Sequence, residues 1–207
     1  MALRIGRWGN ISLTLSAALV AGAYVVPPGG WEGAAAPLGF VSFASFAAWF
    51  GMAVWITFIN GPVLFTSLPK ESFGRVQHVL FPAYFSASCV LLSLSLAAAV
   101  ASSSLHPTAA AVVATALACS VVNLVLLGPL TSAAMFERWR LEKELGVVDG
   151  ALPDDADEEG RKAYKKARKS FGMLHGLSNL ANLVAVCASM VEVWRLSHLV
   201  GPPAALP

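Results

Sequence analysis

Apolar residues run in long blocks along this chain, and polar residues gather in the intervals between them. Four blocks, roughly 38–66, 79–101, 108–130 and 171–194, are long enough to cross a bilayer, which takes about 20 helical residues. The first three hold no charged residue, and the fourth carries only Glu192, near its end. A backbone in lipid must satisfy its own hydrogen bonds, so such blocks read as helices. They lack the polar–apolar alternation of barrel strands. The pattern predicts an all-α integral membrane bundle of four transmembrane helices.

A weaker apolar stretch, ISLTLSAALVAGAYVV, lies between Arg4 and Arg7 on one side and Pro27 and Pro28 on the other. Its basic start, short apolar core and small residues at 21–23 fit a secretory signal or an uncleaved fifth, anchor helix; the lack of acids before Glu32 also fits an organelle transit peptide. The chain thus divides into a signal-like or anchor segment with linker (1–37), a membrane domain (38–196) and a short tail (197–207).

The polar intervals orient the bundle. Interval 67–78 carries Lys70 and Arg75, interval 131–170 carries nine Lys and Arg residues, and the turn at 102–107 carries none. The positive-inside rule puts both basic intervals on the cytosolic side, or the matrix or stroma of an organelle. Pro69 ends the first membrane helix and Pro82 opens the second in its first turn, making a tight hairpin. Tyr84, with Phe73, Phe81 and Phe85, suits the membrane interface. The third membrane helix leaves through Pro129 and continues beyond the bilayer until Gly146. The acidic 149–160 stretch reads as a solvated loop, followed by a basic helix that runs unbroken into the last membrane helix. On it, Lys162, Lys165, Lys166, Arg168 and Lys169 form a solvated end or meet anionic lipid headgroups.

Composition agrees: 57% of residues are hydrophobic and 13% charged, too apolar for a water-soluble surface. The net charge of +2 makes no case for nucleic acid. Cys89, Cys119 and Cys187 lie within apolar runs without a CxxC spacing and read as buried free thiols.

Polar and proline positions interrupt the apolar blocks in recognisable groups. These are GMAVWITF at 51–58, with Gly51 and Trp55; LFTSLPKESFGRVQHVLFPAYF at 64–85, with Pro69, Phe73, Gly74, Pro82 and Tyr84; NLVLLGPLTSAAM at 123–135, with Pro129; and FGMLHGLSNLANL at 171–183. In these groups the chain resembles the transmembrane protein 205 family over residues 40–196, departing from its pattern at His78 and Leu130. The resemblance implies a small four-helix membrane protein. It also implies association with membrane traffic and platinum-drug tolerance, without an established reaction.

Polar groups inside lipid are costly and invite a functional reading. Asn60 falls near the inner end of the first membrane helix, Gln77 and His78 at the mouth of the second, and Asn123 inside the third. His175, Asn179 and Asn182 recur at i, i+4 and i+7, on one helix face. The spacing predicts that Asn123 and this stripe face the bundle interior. His175 is then expected to bond a neighbouring helix or the turn holding Gln77. Such a set is either interhelical hydrogen bonding or a solute pocket opening on the basic side. His78 and His175 have no thiolate or acid at ligand spacing, so no metal or cofactor is expected. Met52, Met135 and Met173 read as core filler, Glu192 and Arg195 as an i, i+3 pair, and the small residues of the second and third membrane helices as close-packing positions.

The chain lacks GxSxG, HExxH, a phosphate loop and carboxylates paired at catalytic spacing, so an enzyme is not expected. The expected function is a scaffold or accessory subunit with protein partners in the bilayer of an endomembrane, the plasma membrane or an organelle inner membrane. The alternative is a small-solute or metal transporter or export factor using the inner polar pocket, although the sequence shows no inverted repeats or broken helices.

Overall fold

The computed structural model describes residues 7–25, 33–102, 105–148 and 150–199. The rest of the signal-like segment, with Arg4, Pro27 and Pro28, and residues 200–207 of the tail lie outside the described residues. The described residues form five helical runs: α1 Arg7–Val25, α2 Ala35–Ser67, α3 Lys70–Ala101, α4 Pro107–Glu144 and α5 Glu158–Leu199. Runs α2 to α5 are long and apolar enough to cross a membrane, and α1 is a shorter apolar helix. The expected all-α integral membrane fold is what forms.

Helix α3 is the centre. Helices α1 and α2 pack against it, α5 packs along α4, and α3 meets α4. Small buried residues on α3, including Ser86, Ser88, Ser93, Ser95 and Ala97 to Ala99, let these backbones approach closely. Trp49, Cys89, Leu92, Ala116 and Val186 fill the space between. On α4 the packing face is Val112, Val113, Ala116 and Ser120. Ala114 and Ala118 point outward instead. Cys187 is exposed on α5, so only Cys89 is the fully buried thiol expected of all three.

The α2–α3 hairpin is as tight as expected, but Pro82 does not open the second helix. Leu68 is extended, Pro69 is the N-cap, and α3 starts at Lys70, leaving Pro82 well inside it. The polar residues 70–78 are helical themselves, with their charged heads available to water. This early start moves residues 81–85 down into the bundle, so Tyr84 and Phe85 are buried rather than interfacial.

Two helices carry a turn of π-helix, Trp55–Asn60 in α2 and Asn123–Leu127 in α4. Each runs into a Gly-Pro pair, Gly61-Pro62 and Gly128-Pro129. Proline lacks an N–H, and its ring crowds the carbonyl one turn back; widening the preceding turn relieves the crowding. Past Pro129, α4 continues helically to Glu144, just short of Gly146, as expected. Gly128 is needed here, because a Cβ would stand 2.7 Å from the Asn123 carbonyl oxygen.

Beyond their apolar stretches, α4 and α5 form a second hairpin with its own small core of Leu141, Tyr164 and Ala167. The turn passes through Gly146 at φ +64. From residue 150 the acidic stretch is held by Arg161, whose guanidinium donates to the carbonyls of Pro153, Asp154 and Ala156. Helix α5 is unbroken as expected, and Lys162, Lys165, Lys166, Arg168 and Lys169 are exposed along its start.

Candidate functional site: an inner-half crevice

At the end that carries the basic intervals, here the inner end, the bundle opens. Past its π turn, the Gly61–Ser67 end of α2 buries no residue. A crevice of about 1430 Å³ lies there among α2, α3, α4 and α5.

Two amides close its floor. Asn182 on α5, 9% exposed, donates from Nδ2 to Thr57 Oγ1 on α2 at 2.7 Å and accepts the Tyr84 hydroxyl of α3 at 2.7 Å. Asn123 on α4, 1% exposed, donates to the Ser178 carbonyl at 3.3 Å and accepts the Ser178 hydroxyl at 2.6 Å. Thr57 and Asn123 both belong to π turns. Each clamp thus ties a widened turn to α5.

Nearer the mouth the polar groups are less enclosed. His78 Nδ1 lies 3.0 Å from Ser132 Oγ, joining α3 to α4, and its ring meets Phe136 edge-on. His175 does not bond a neighbouring helix. Its Nε2 pairs with Asn179 Nδ2 at 3.0 Å within α5, and its ring stacks on Phe171. His175 and Asn179 are exposed and line the crevice, so of the predicted stripe Asn182 alone is buried, together with Asn123 of α4. The open crevice leaves this stretch of α5 uncovered, so the i, i+4, i+7 face is buried only at its deep end. Gln77 Oε1 is a buried acceptor without a partner among the described residues. Asn60 does not join the set: it is absent from the lining, and its Nδ2 is buried without such a partner.

At the rim α3 and α4 touch through Gly74, where a Cβ would fall 2.6 Å from Trp139 Cζ2 and 3.0 Å from Met135 Sδ. Lys70 and Arg138 also line this end, with the Arg138 guanidinium 4.6 Å from the centre of the Phe171 ring. Of the motif residues, Phe73, Gly74, Pro82 and Pro129 line the crevice, and Tyr84 braces its floor. Pro69 caps α3, while Gly51 and Trp55 are exposed away from it. The expected Glu192–Arg195 pair forms at the opposite end, at 2.6 Å, beside a smaller cavity of about 260 Å³. No group of three or more His, Cys, Asp or Glu gathers at metal-binding range among the described residues.

Thr57, Ser132 and Ser178 escaped the sequence reading because short hydroxyls are common in membrane helices and nothing in their spacing marks these three. The Gly-Pro pairs at 61–62 and 128–129 also went unread, although a proline withholds a backbone donor, and both widened turns face the crevice.

Fold and site together define a polytopic helical membrane protein with a crevice clamped shut at its deep end. Residues 44–140 match a family described as a domain of unknown function, DUF4149. Transmembrane protein 205 of Danio rerio is 31% identical over 166 residues, covering 73% of this chain and 87% of that relative. The chain belongs to the transmembrane protein 205 family. No solved structure matches it.

Proposed function

We propose that this protein is a non-enzymatic membrane protein that takes a guest molecule into the inner-half crevice and serves as its carrier or export factor. The crevice of about 1430 Å³, lined by aromatic and polar side chains, carries this reading; it exceeds the roughly 300–1,000 Å³ of small-ligand pockets and so has room for such a guest. Support also comes from the two π turns. Such turns recur at functional sites. The test is His175→Phe in the full-length protein in lipid nanodiscs. A carrier loses guest binding or flux at unchanged melting temperature. Unchanged binding and flux overturn the reading.

A scaffold or accessory-subunit role with membrane protein partners is the second reading. It is supported by the outer face of α5, where Gly172 and Gly176 are exposed and a Cβ at either would meet nothing within 4 Å. Such a surface accepts another helix at close range. Gly172→Leu is then expected to lose co-purifying membrane proteins while crevice binding is kept. The packing of α1 along α3, which buries Ser12 and Ser16, supports a retained anchor rather than a cleaved signal. The intact mass of the purified protein decides between them.

A further inference from the structure

The crevice lining has a sign. Among its described residues are Lys70, Arg138 and two histidines, but no Asp or Glu. The nearby acids are engaged outside it. Glu71 pairs with Arg75 at 2.6 Å, and Glu142 accepts the Tyr164 hydroxyl at 3.2 Å. Glu142 also lies 3.2 Å from Arg138 Nε, at an angle that makes no hydrogen bond. The Lys70 ammonium has no partner among the described residues, and Arg138 is held between the Glu142 carboxylate and the Phe171 ring.

Below this cationic rim the walls change character. Phe73, Phe81, Phe85, Phe136, Phe171 and Leu183 line the slot down to the amide floor. From Lys70 to Tyr84 along α3 the drop is about 21 Å at the helical rise per residue. Partway down, His78, His175, Asn179 and the unpartnered Gln77 Oε1 offer polar contacts. The floor itself is closed, because Asn182, Tyr84 and Thr57 satisfy one another.

We propose that the crevice binds an amphiphile with an anionic head: a phosphate- or carboxylate-class group at Lys70 and Arg138, and a hydrocarbon or ring body along the phenylalanine walls. This rests on the reading of the crevice as a guest site. A cation would meet the Lys70 ammonium, which has no counter-ion among the described residues, beside an Arg138 that already holds Glu142. A small hydrophilic anion would leave the aromatic walls unmatched. An anionic amphiphile satisfies both ends, since guanidinium and ammonium form their strongest hydrogen bonds with ionised oxygens.

Two sources share this chemistry, a lipid entering from the leaflet and a soluble amphiphile entering from water. Full-length protein in phosphatidylcholine nanodiscs is given brominated phosphatidate or brominated diacylglycerol, and quenching of tryptophan fluorescence is read, with Trp139→Phe locating the signal at the rim. Calorimetry with octyl phosphate against octanol forms the second arm. Preferential quenching by phosphatidate marks the lipid source, and selective binding of octyl phosphate marks the soluble one. Lys70→Gln with Arg138→Gln weakens the charged probe roughly tenfold or more and leaves the neutral one unchanged. Lys70→Gln alone, at an exposed position in the first turn of α3, gives part of that loss even if the Arg138 variant folds poorly. Equal binding of charged and neutral probes, insensitive to both substitutions, overturns the anionic class but leaves the guest site standing. Failure of every probe, neutral ones included, overturns both.

Discussion

The two halves of this bundle are built from the same helices in different ways. In the outer half, small side chains let the backbones close in. Ser88, Ser120 and Ser189 turn their hydroxyls back onto carbonyls four residues earlier in their own helices, and Trp49 and Leu92 are fully buried between the helices. In the inner half, Gly-Pro pairs widen α2 and α4, the end of α2 buries nothing, and side-chain amides reach across the gap. Lipid supplies no hydrophobic drive to press helices together, so association rests on close packing or on polar bonds. The outer half relies mainly on the first, with one bond from Ser95 to the Ser42 carbonyl, and leaves only the cavity of about 260 Å³. The inner half uses the second and can therefore keep a crevice open.

This contrast can be broken from either side. The largest effect is expected from Trp49→Ala, which removes a fully buried ring from the outer half and costs about 3 kcal/mol. It should appear as a large drop in the temperature at which the detergent-solubilised protein loses its monodisperse elution peak. Next comes Gly74→Ala, whose methyl would press on Trp139 and Met135 and push α3 from α4 at the rim. About 2 kcal/mol is expected from overpacking, and a crevice probe should lose affinity along with the melting temperature. Asn182→Leu leaves the Tyr84 and Thr57 hydroxyls without their shared partner. About 1–2 kcal/mol is expected, and a double-mutant cycle with Tyr84→Phe should show coupling; strict additivity would mean that the clamp is not a unit. Ser88→Ala should be smallest, no more than about 0.5 kcal/mol, because its hydroxyl serves only its own helix. A Ser88 effect as large as that of Asn182 would erase the distinction between the two halves.

Much of the inner half was legible. Asn123 and Asn182 stood out as amides in lipid, where an unsatisfied group is expensive, and both found partners on other helices. Their bonding atoms were not legible, because Tyr84, Thr57 and Ser178 lie far away along the chain and nothing local marks them. Placement of Tyr84 at the interface failed for a specific reason. Hydropathy puts the start of α3 at the first apolar run, whereas the helix begins where Pro69 caps it, at Lys70. The error at His175 was of another kind: its spacing with Asn182 was right, but a helix face is continuous while the cover over it is not.

The sequence by itself determined the membrane, the helices that cross it and the tight α2–α3 hairpin. These follow from local chemistry, since a backbone in lipid must bond within its own helix and proline withholds a donor wherever it stands. Only the tertiary structure decided that the two disturbed turns face the same space, that Lys70 and Arg138 share one rim, and that Asn182 joins three helices. Those facts depend on how each helix is rotated about its axis. In a bilayer nearly every face is apolar, so hydropathy leaves that rotation open, and it is settled only when small residues and amides on different helices find one another.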